Sequence, residues 1–264
     1  MRETTGATAT AYLRPRWDDC DANGHVNNAA YLAILRAALD QSLGPLGLDG
    51  WLDGARLQEA DLEYREPIRV DDEIAVALRV KEASASALTL LSSFEVGGRH
   101  RAEATVRWTR ALRVEPEAFP KPLRDAGGLP FVVDQPVRSY EVGPDETVRP
   151  QAVLQWLEHA VFRAAESAGW DRVRMRASDF VTLQVGHRLR LGLPADAGEV
   201  VRIESRLIDL RRVSGVWHHE VRRADGAMVA IDRSRGAFLD RAGHVHAAPA
   251  ELLAALLRGE WSAR

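Results

Sequence analysis

Two hydrophobic periods take turns along this chain. Between residues 29 and 43, Tyr31, Leu32, Ile34, Leu35, Ala38 and Leu39 recur at three- and four-residue spacing. That spacing predicts a helix with a broad apolar stripe, stopped by Gly44-Pro45. Residues 8–16, 62–69, 74–81, 87–96 and 101–112 instead carry strand formers or alternate, and read as strands. Asp71-Asp72 and Gly97-Gly98 supply turns between them. Residues 115–130 break the pattern with Pro116, Pro120, Pro122, Pro130 and Gly127-Gly128, a linker composition.

The pattern then restarts. Residues 137–142 read as a strand and 151–167 as a helix ending at Gly169. Residues 188–191, 200–210, 214–223 and 228–239 follow as strands, with Asp225-Gly226 as a hairpin turn. An order of elements that repeats once is the mark of a tandem duplication. The expected domains are 1–115 and 135–264, joined by a linker over 116–134. Residues 25–32 align with 147–154, keeping Val26 as Val148 and the apolar helix positions. His25 becomes Thr147, and Asn27-Asn28 becomes Arg149-Pro150, so the second copy is expected to be degenerate. Proline suits the first helical turn, which makes this a sound helix start with different chemistry.

Composition narrows the class. With 264 residues, 46% hydrophobic and 28% charged, the chain suits two soluble domains. No apolar run is long enough to span a bilayer, and the first ten residues lack the apolar core of a secretory signal. Cys20 is the one cysteine, so no intrachain disulfide framework exists, in keeping with a cytoplasmic location. A net charge of −3 gives no general attraction to nucleic acid. The basic residues are nearly all Arg, with Lys only at 81 and 121; Arg could form a local patch for phosphates or an acidic partner.

The chemistry concentrates in one string, Asp21-Ala22-Asn23-Gly24-His25-Val26-Asn27-Asn28-Ala29-Ala30-Tyr31-Leu32. Asp21, Asn23 and His25 lie two residues apart, so an extended segment would point their side chains to one side. Gly24 permits a sharp turn. A helix start leaves unpaired N–H groups that can stabilise a developing oxyanion. A carboxylate, an orienting amide, an imidazole and an oxyanion donor are a workable set for hydrolysing an acyl ester or thioester. Cys20 has acidic neighbours that discourage a thiolate, so it is read as structural. The remaining histidines lack zinc-ligand spacing, no metal site is expected, and there is no Gly-x-Ser-x-Gly elbow or nucleotide fingerprint.

The string Asp21-x-Asn23-x-His25-Val26-Asn27-Asn28-x-x-Tyr31-Leu32 resembles the signature of acyl-ACP thioesterases and the wider hotdog-fold acyl-thioesterase family. The resemblance is strong over 10–115 and rests on pattern alone over 135–250. It implies an α+β tandem double hotdog: two antiparallel sheets, each wrapped around a long central helix, joined into one continuous sheet. It also implies one competent site per chain, with Asp21 as the catalytic carboxylate, Asn23 and His25 assisting, and no cofactor. Gly24, Val26, Asn27, Asn28 and Tyr31 would bind substrate or supply the oxyanion donors. Leu62-Glu63-Tyr64-Arg65-Glu66 resembles a strand in plant-type acyl-ACP thioesterases that runs into a catalytic Glu. Glu66 is the nearest match, although the alignment shifts by one and Pro67 stands where that family has Cys. Glu59, Glu63 and, on the second helix, Glu158 are weaker candidates. The expected partner is an acyl carrier protein or coenzyme A thioester, with no nucleic acid and no membrane, and a homodimer of double-hotdog chains is compatible. The competing readings are a hotdog hydratase or dehydratase of enoyl thioesters and a non-catalytic acyl-thioester binding protein.

Overall fold

The computed structural model describes residues 5–21, 24–111, 115–120 and 129–259. The chain divides into two compact units, residues 1–114 with 188–192 and residues 115–187 with 193–264. Of the expected linker, residues 121–128 lie outside the described residues.

In the first unit the elements run β1 (Thr8–Leu13), α1 (Ala30–Ser42), β2 (Arg56–Tyr64), β3 (Ile74–Ala83), β4 (Ala87–Val96) and β5 (Arg99–Thr109). The strands pair antiparallel in the order β1-β3-β4-β5-β2. Alternation along each strand sends one set of side chains into the core. Leu62, Val76, Leu78, Leu90, Phe94 and Val106 are at most 1% exposed, as is Leu35 of α1, and Tyr31 is 2% exposed. Each such aliphatic side chain contributes on the order of 1.5–3 kcal/mol by leaving water. The core between helix and sheet is therefore apolar.

The second unit repeats the plan: β6 (Phe131–Pro136), α2 (Pro150–Ser167), α3 (Arg172–Ala177), β7 (Val181–Leu191), β8 (Val200–Arg211), β9 (Ser214–Arg222), β10 (Met228–Leu239) and α4 (Ala250–Arg258). Its order, β6-β8-β9-β10-β7, has the same form. Even the irregularities match. The β3–β4 ladder slips between Val80 and Glu82, and the corresponding β8–β9 ladder slips between Leu207 and Asp209. Each unit is thus an antiparallel sheet with a long helix against it, and the chain is an α+β double hotdog.

Three expectations about elements need correction. The strand expected at 62–69 is β2, which starts at Arg56 and ends at Tyr64. Its inward positions begin with Gln58 and Ala60, which carry almost no hydrophobic signal, and Pro67 cannot continue a ladder. The strand expected at 137–142 is β6, at Phe131–Pro136; residues 139–141 form a single 3-10 turn instead. The strand expected at 188–191 begins at Val181. Neither α3 nor α4 was apparent in the pattern. Helix α4 places Leu252 and Leu256 in a cluster with Trp170, Phe180 and Phe238.

Candidate active site

Between β1 and α1 the chain makes one 3-10 turn, Trp17–Asp19, and then a tight loop. Arg16 closes the turn. Its backbone N–H donates to Asp19 Oδ2 at 2.8 Å, and its guanidinium donates to the same carboxylate. Burial works against the charge on Asp19, but the Arg16 bonds outweigh it and hold the carboxyl below its usual range.

The loop closes on Asp21. The Asp21 N–H donates to His25 O at 2.7 Å, and Gly24 N–H donates back to Asp21 O at 3.0 Å. The His25 N–H donates to Asp21 Oδ1 at 3.0 Å. Gly24 takes φ +73°, a conformation glycine adopts without strain. Cys20 and Val26 bridge across the loop. Asp21, Gly24 and His25 are therefore linked by hydrogen bonds to one another. Asp21 and His25 are brought together by loop closure. Asn23 lies outside the described residues.

The following residues lock this loop to the core. Val26 N–H donates to Ile68 O at 2.8 Å, and Val70 N–H donates to Gly24 O at 3.2 Å. Asn27 N–H is taken by Asp19 O at 2.8 Å, while Asn27 Oδ1 accepts from Ala29 N–H at 2.9 Å. Asn27 thus closes an Asx turn just ahead of the helix, whose N-cap is Ala29. Tyr64 Oη donates to Asn28 O at 3.0 Å. Tyr31 is packed edge-on against Tyr64 and Phe94, with ring centroids 5.0 and 5.2 Å away. Burial pushes its hydroxyl pKa well above the usual value.

One donor is left over. From Gly24 to Leu32, each backbone N–H has a partner among the described residues except that of Asn28. Of the two N–H groups considered from the sequence, that of Asn27 is occupied by Asp19 O.

The second unit builds the same loop. Arg138 N–H donates to Glu141 Oε2 at 2.8 Å, as Arg16 does to Asp19. Gly143 N–H donates to Thr147 O, Glu146 N–H to Gly143 O, Val148 N–H to Ala195 O and Arg149 N–H to Glu141 O. Each bond repeats its counterpart at Asp21, Gly24, Val26 and Asn27. The chemistry does not repeat. Gly143 replaces Asp21, Thr147 replaces His25 and donates to Asp145 Oδ2 at 2.8 Å, and Pro150 replaces Asn28. Proline has no N–H to offer.

The other candidate carboxylates sit elsewhere. Glu66 follows β2, half-exposed, and is ion-paired with Arg101. Glu59 lies 3.7 Å from Arg107. Glu63 lies opposite Glu103 in the β2–β5 ladder. Glu158 lies in the second unit, 3.6 Å from the buried His187. Tyr64, which holds Asn28 O, was in view only as part of the string leading to Glu66. Among the described residues no group of three or more His, Cys, Asp or Glu could hold a metal ion. No helix among the described residues is long and apolar enough to cross a membrane.

Residues 15–126 match the family model described as the thioesterase-like superfamily. No curated protein sequence matches the chain. Among solved structures, a Lactobacillus plantarum protein provisionally designated an oleoyl thioesterase aligns with a TM-score of 0.70 at 13% identity, over 89% of this chain and 98% of that one. The 12:0-ACP thioesterase of Umbellularia californica aligns at 0.65 and 10% identity, over 88% and 94%. An acyl-ACP thioesterase of Bacteroides thetaiotaomicron VPI-5482 aligns at 0.61 and 13% identity, over 88% and 98%. At these identities the likeness is one of fold.

Proposed function

We propose that this protein hydrolyses acyl thioesters, releasing a free fatty acid and a thiol, at the Asp21–Asn28 loop of the first unit. The observation that carries this reading is the unoccupied Asn28 N–H at the entrance of α1, beyond the closed loop that bears Asp21 and His25. The duplicate loop has the same backbone and lacks the carboxylate, the imidazole and the N–H. That supports a single competent copy, with the second unit a degenerate partner.

In this reading Asp21 attacks the thioester carbonyl or takes a proton from the attacking water. In the water route the new C–O bond forms as Asp21 accepts the proton, the C–S bond breaks, and the proton returns to the thiolate. Asn23 orients water or carbonyl, and His25 shares the proton or steadies Asp21. Asn28 N–H stabilises the oxyanion, while Gly24, Val26, Asn27 and Tyr31 shape the site. Glu66 is the second carboxylate of the proposal, held by Arg101. The substrate class is an acyl carrier protein or coenzyme A thioester. A cytoplasmic setting suits the single cysteine.

The test is thiol release from a panel of acyl-ACP and acyl-CoA substrates by wild type, Asp21→Asn and Glu66→Gln. Rapid release that collapses at least ~100-fold in Asp21→Asn supports the reading. A Glu66→Gln variant at the wild-type rate removes Glu66 from it. No release by the wild type from any substrate sinks it, and hydration of enoyl thioesters is then the assay to run.

A further inference from the structure

Beneath α2 the second unit holds a buried chain of charges that the proposed reaction does not use. Glu158 Oε1 lies 3.6 Å from His187 Nε2 on β7, and His187 Nδ1 lies 2.8 Å from Asp232 Oδ2 on β10. The His187 and Asp232 side chains are fully buried, and that of Glu158 is 13% exposed. The polar row continues across the sheet. Asp232 is opposite His219 on β9, which is opposite Ser205 on β8. His219 bonds Ser205 Oγ through Nδ1 at 2.8 Å and Ser234 Oγ through Nε2 at 3.0 Å.

The described residues of the first unit do not repeat it at the matching positions. The matching ladder positions place Leu78 at Ser205, Ser92 at His219 and Ala104 at Asp232. The helix position matching Glu158 is Arg36, which is exposed and bonds Asp40 at 2.9 Å. Both helices bury an apolar face, and α2 adds an ionisable side chain to its own. A buried carboxylate and a part-buried one flanking the same ring favour its protonated form, because the imidazolium offsets both negative charges. Burial alone would strip His187 of its proton, but Asp232 and Glu158 outweigh it and push the pKa up to about 10. Among the described residues, the charged or titratable groups that act on His187 include Glu158 from α2, Asp232 from β10 and His219 from β9; His218 of β9 also acts on Asp232. Ser205 of β8 brings no charge. His219 stays neutral, because burial, with help from the two other histidines, lowers it to about 3.

We propose that the proton on His187 is a tether: it binds α2 to its sheet through Glu158 and Asp232, and α2 opens locally when that proton is lost. Helix α1 has no such dependence. The device makes one of two duplicated helices responsive to pH and leaves the other unresponsive.

Hydrogen exchange of the intact protein tests this, corrected for the intrinsic pH dependence of amide exchange. Between about pH 6.5 and 10 the opening constant of residues 150–167 should rise by about tenfold per pH unit, while residues 30–42 stay level. The triple variant Glu158→Leu, His187→Leu, Asp232→Leu should lose that slope, since apolar residues of similar volume can replace a buried ion set. Parallel loss of protection in both helices, or an unchanged slope in the variant, overturns the tether. Should the variant not fold, the 15N shifts of His187 in the wild type decide. An imidazolium at about pH 8.5 is expected, and a neutral ring there overturns the proposal.

Discussion

The two copies of the helix-entry loop differ at Asn28 and Pro150 by one backbone N–H, and that difference can be transferred. Replacing Asn28 with Pro gives the first loop the residue that the second accommodates at the start of α2. The fold should survive, while the oxyanion loses its donor. We expect Asn28→Pro to lower kcat by about 100- to 1000-fold with little change in Tm. Asn28→Ala, which keeps the N–H, should stay within a few-fold of wild type. Equal losses in both would show that the side chain, not the N–H, matters. A second residue-scale difference concerns strain. Gly24 sits at φ +73°, and its duplicate Glu146 sits at φ +60°, where a side chain is disfavoured. Glu146→Gly should therefore raise stability by about 0.5–1 kcal/mol in urea melts. Gly24→Ala should lower it by about 1 kcal/mol through strain alone, because no neighbouring atom lies within 4 Å of the new Cβ. Opposite signs at the two sites are the signature.

At the scale of elements, the helix entrance depends on a strand. Tyr64, the last residue of β2, holds Asn28 O, so Tyr64→Phe should cost about 1 kcal/mol and let the entrance relax. The expected kinetic result is a reduced kcat with KM nearly unchanged, read from thiol release. The same elements show what the sequence could reveal. Helices α1 and α2 were legible because their apolar spacing is undisguised by polar insertions. The Asp21–Asn28 loop was legible because its chemistry is local, so neighbours in sequence are neighbours in space. Its conformation was not, because bonds such as Val26 N–H to Ile68 O come from a distant segment. Strand β2 was misplaced because Gln58 and Ala60 occupy its first inward positions. The Glu158–His187–Asp232 chain is drawn from a helix and two strands, and no spacing in the sequence marks it.

For the whole molecule, the buried histidines of the second unit govern how stability varies with pH. His187 is raised from 6.5 to about 10, so its contribution is complete below pH 6.5 and is lost as pH rises through 10. Asp232 is also raised, by burial first of all, and adds a loss of the same sign as pH climbs above its unfolded value. His219 is lowered to about 3, so the unfolded chain binds the extra proton and stability falls as pH drops below 6.5. Asp232 opposes His219 on that acid limb, which should make it the shallower of the two. Asp19 in the first unit is lowered and acts only near and below the ordinary carboxylate range. Below about pH 9 the alkaline limb is therefore set mainly by the second unit, and above it the raised Cys20 thiol of the first unit adds a loss of the same sign. Urea unfolding monitored between about pH 6.5 and 10 should lose up to about 1.4 kcal/mol per pH unit, the value for one proton bound by the folded state alone. In His187→Gln the His187 share of that slope should be lost and only the contribution of raised Asp232 should remain, from a lower starting stability. A wild-type profile flat across this window would mean that the His187 proton is not held in the fold.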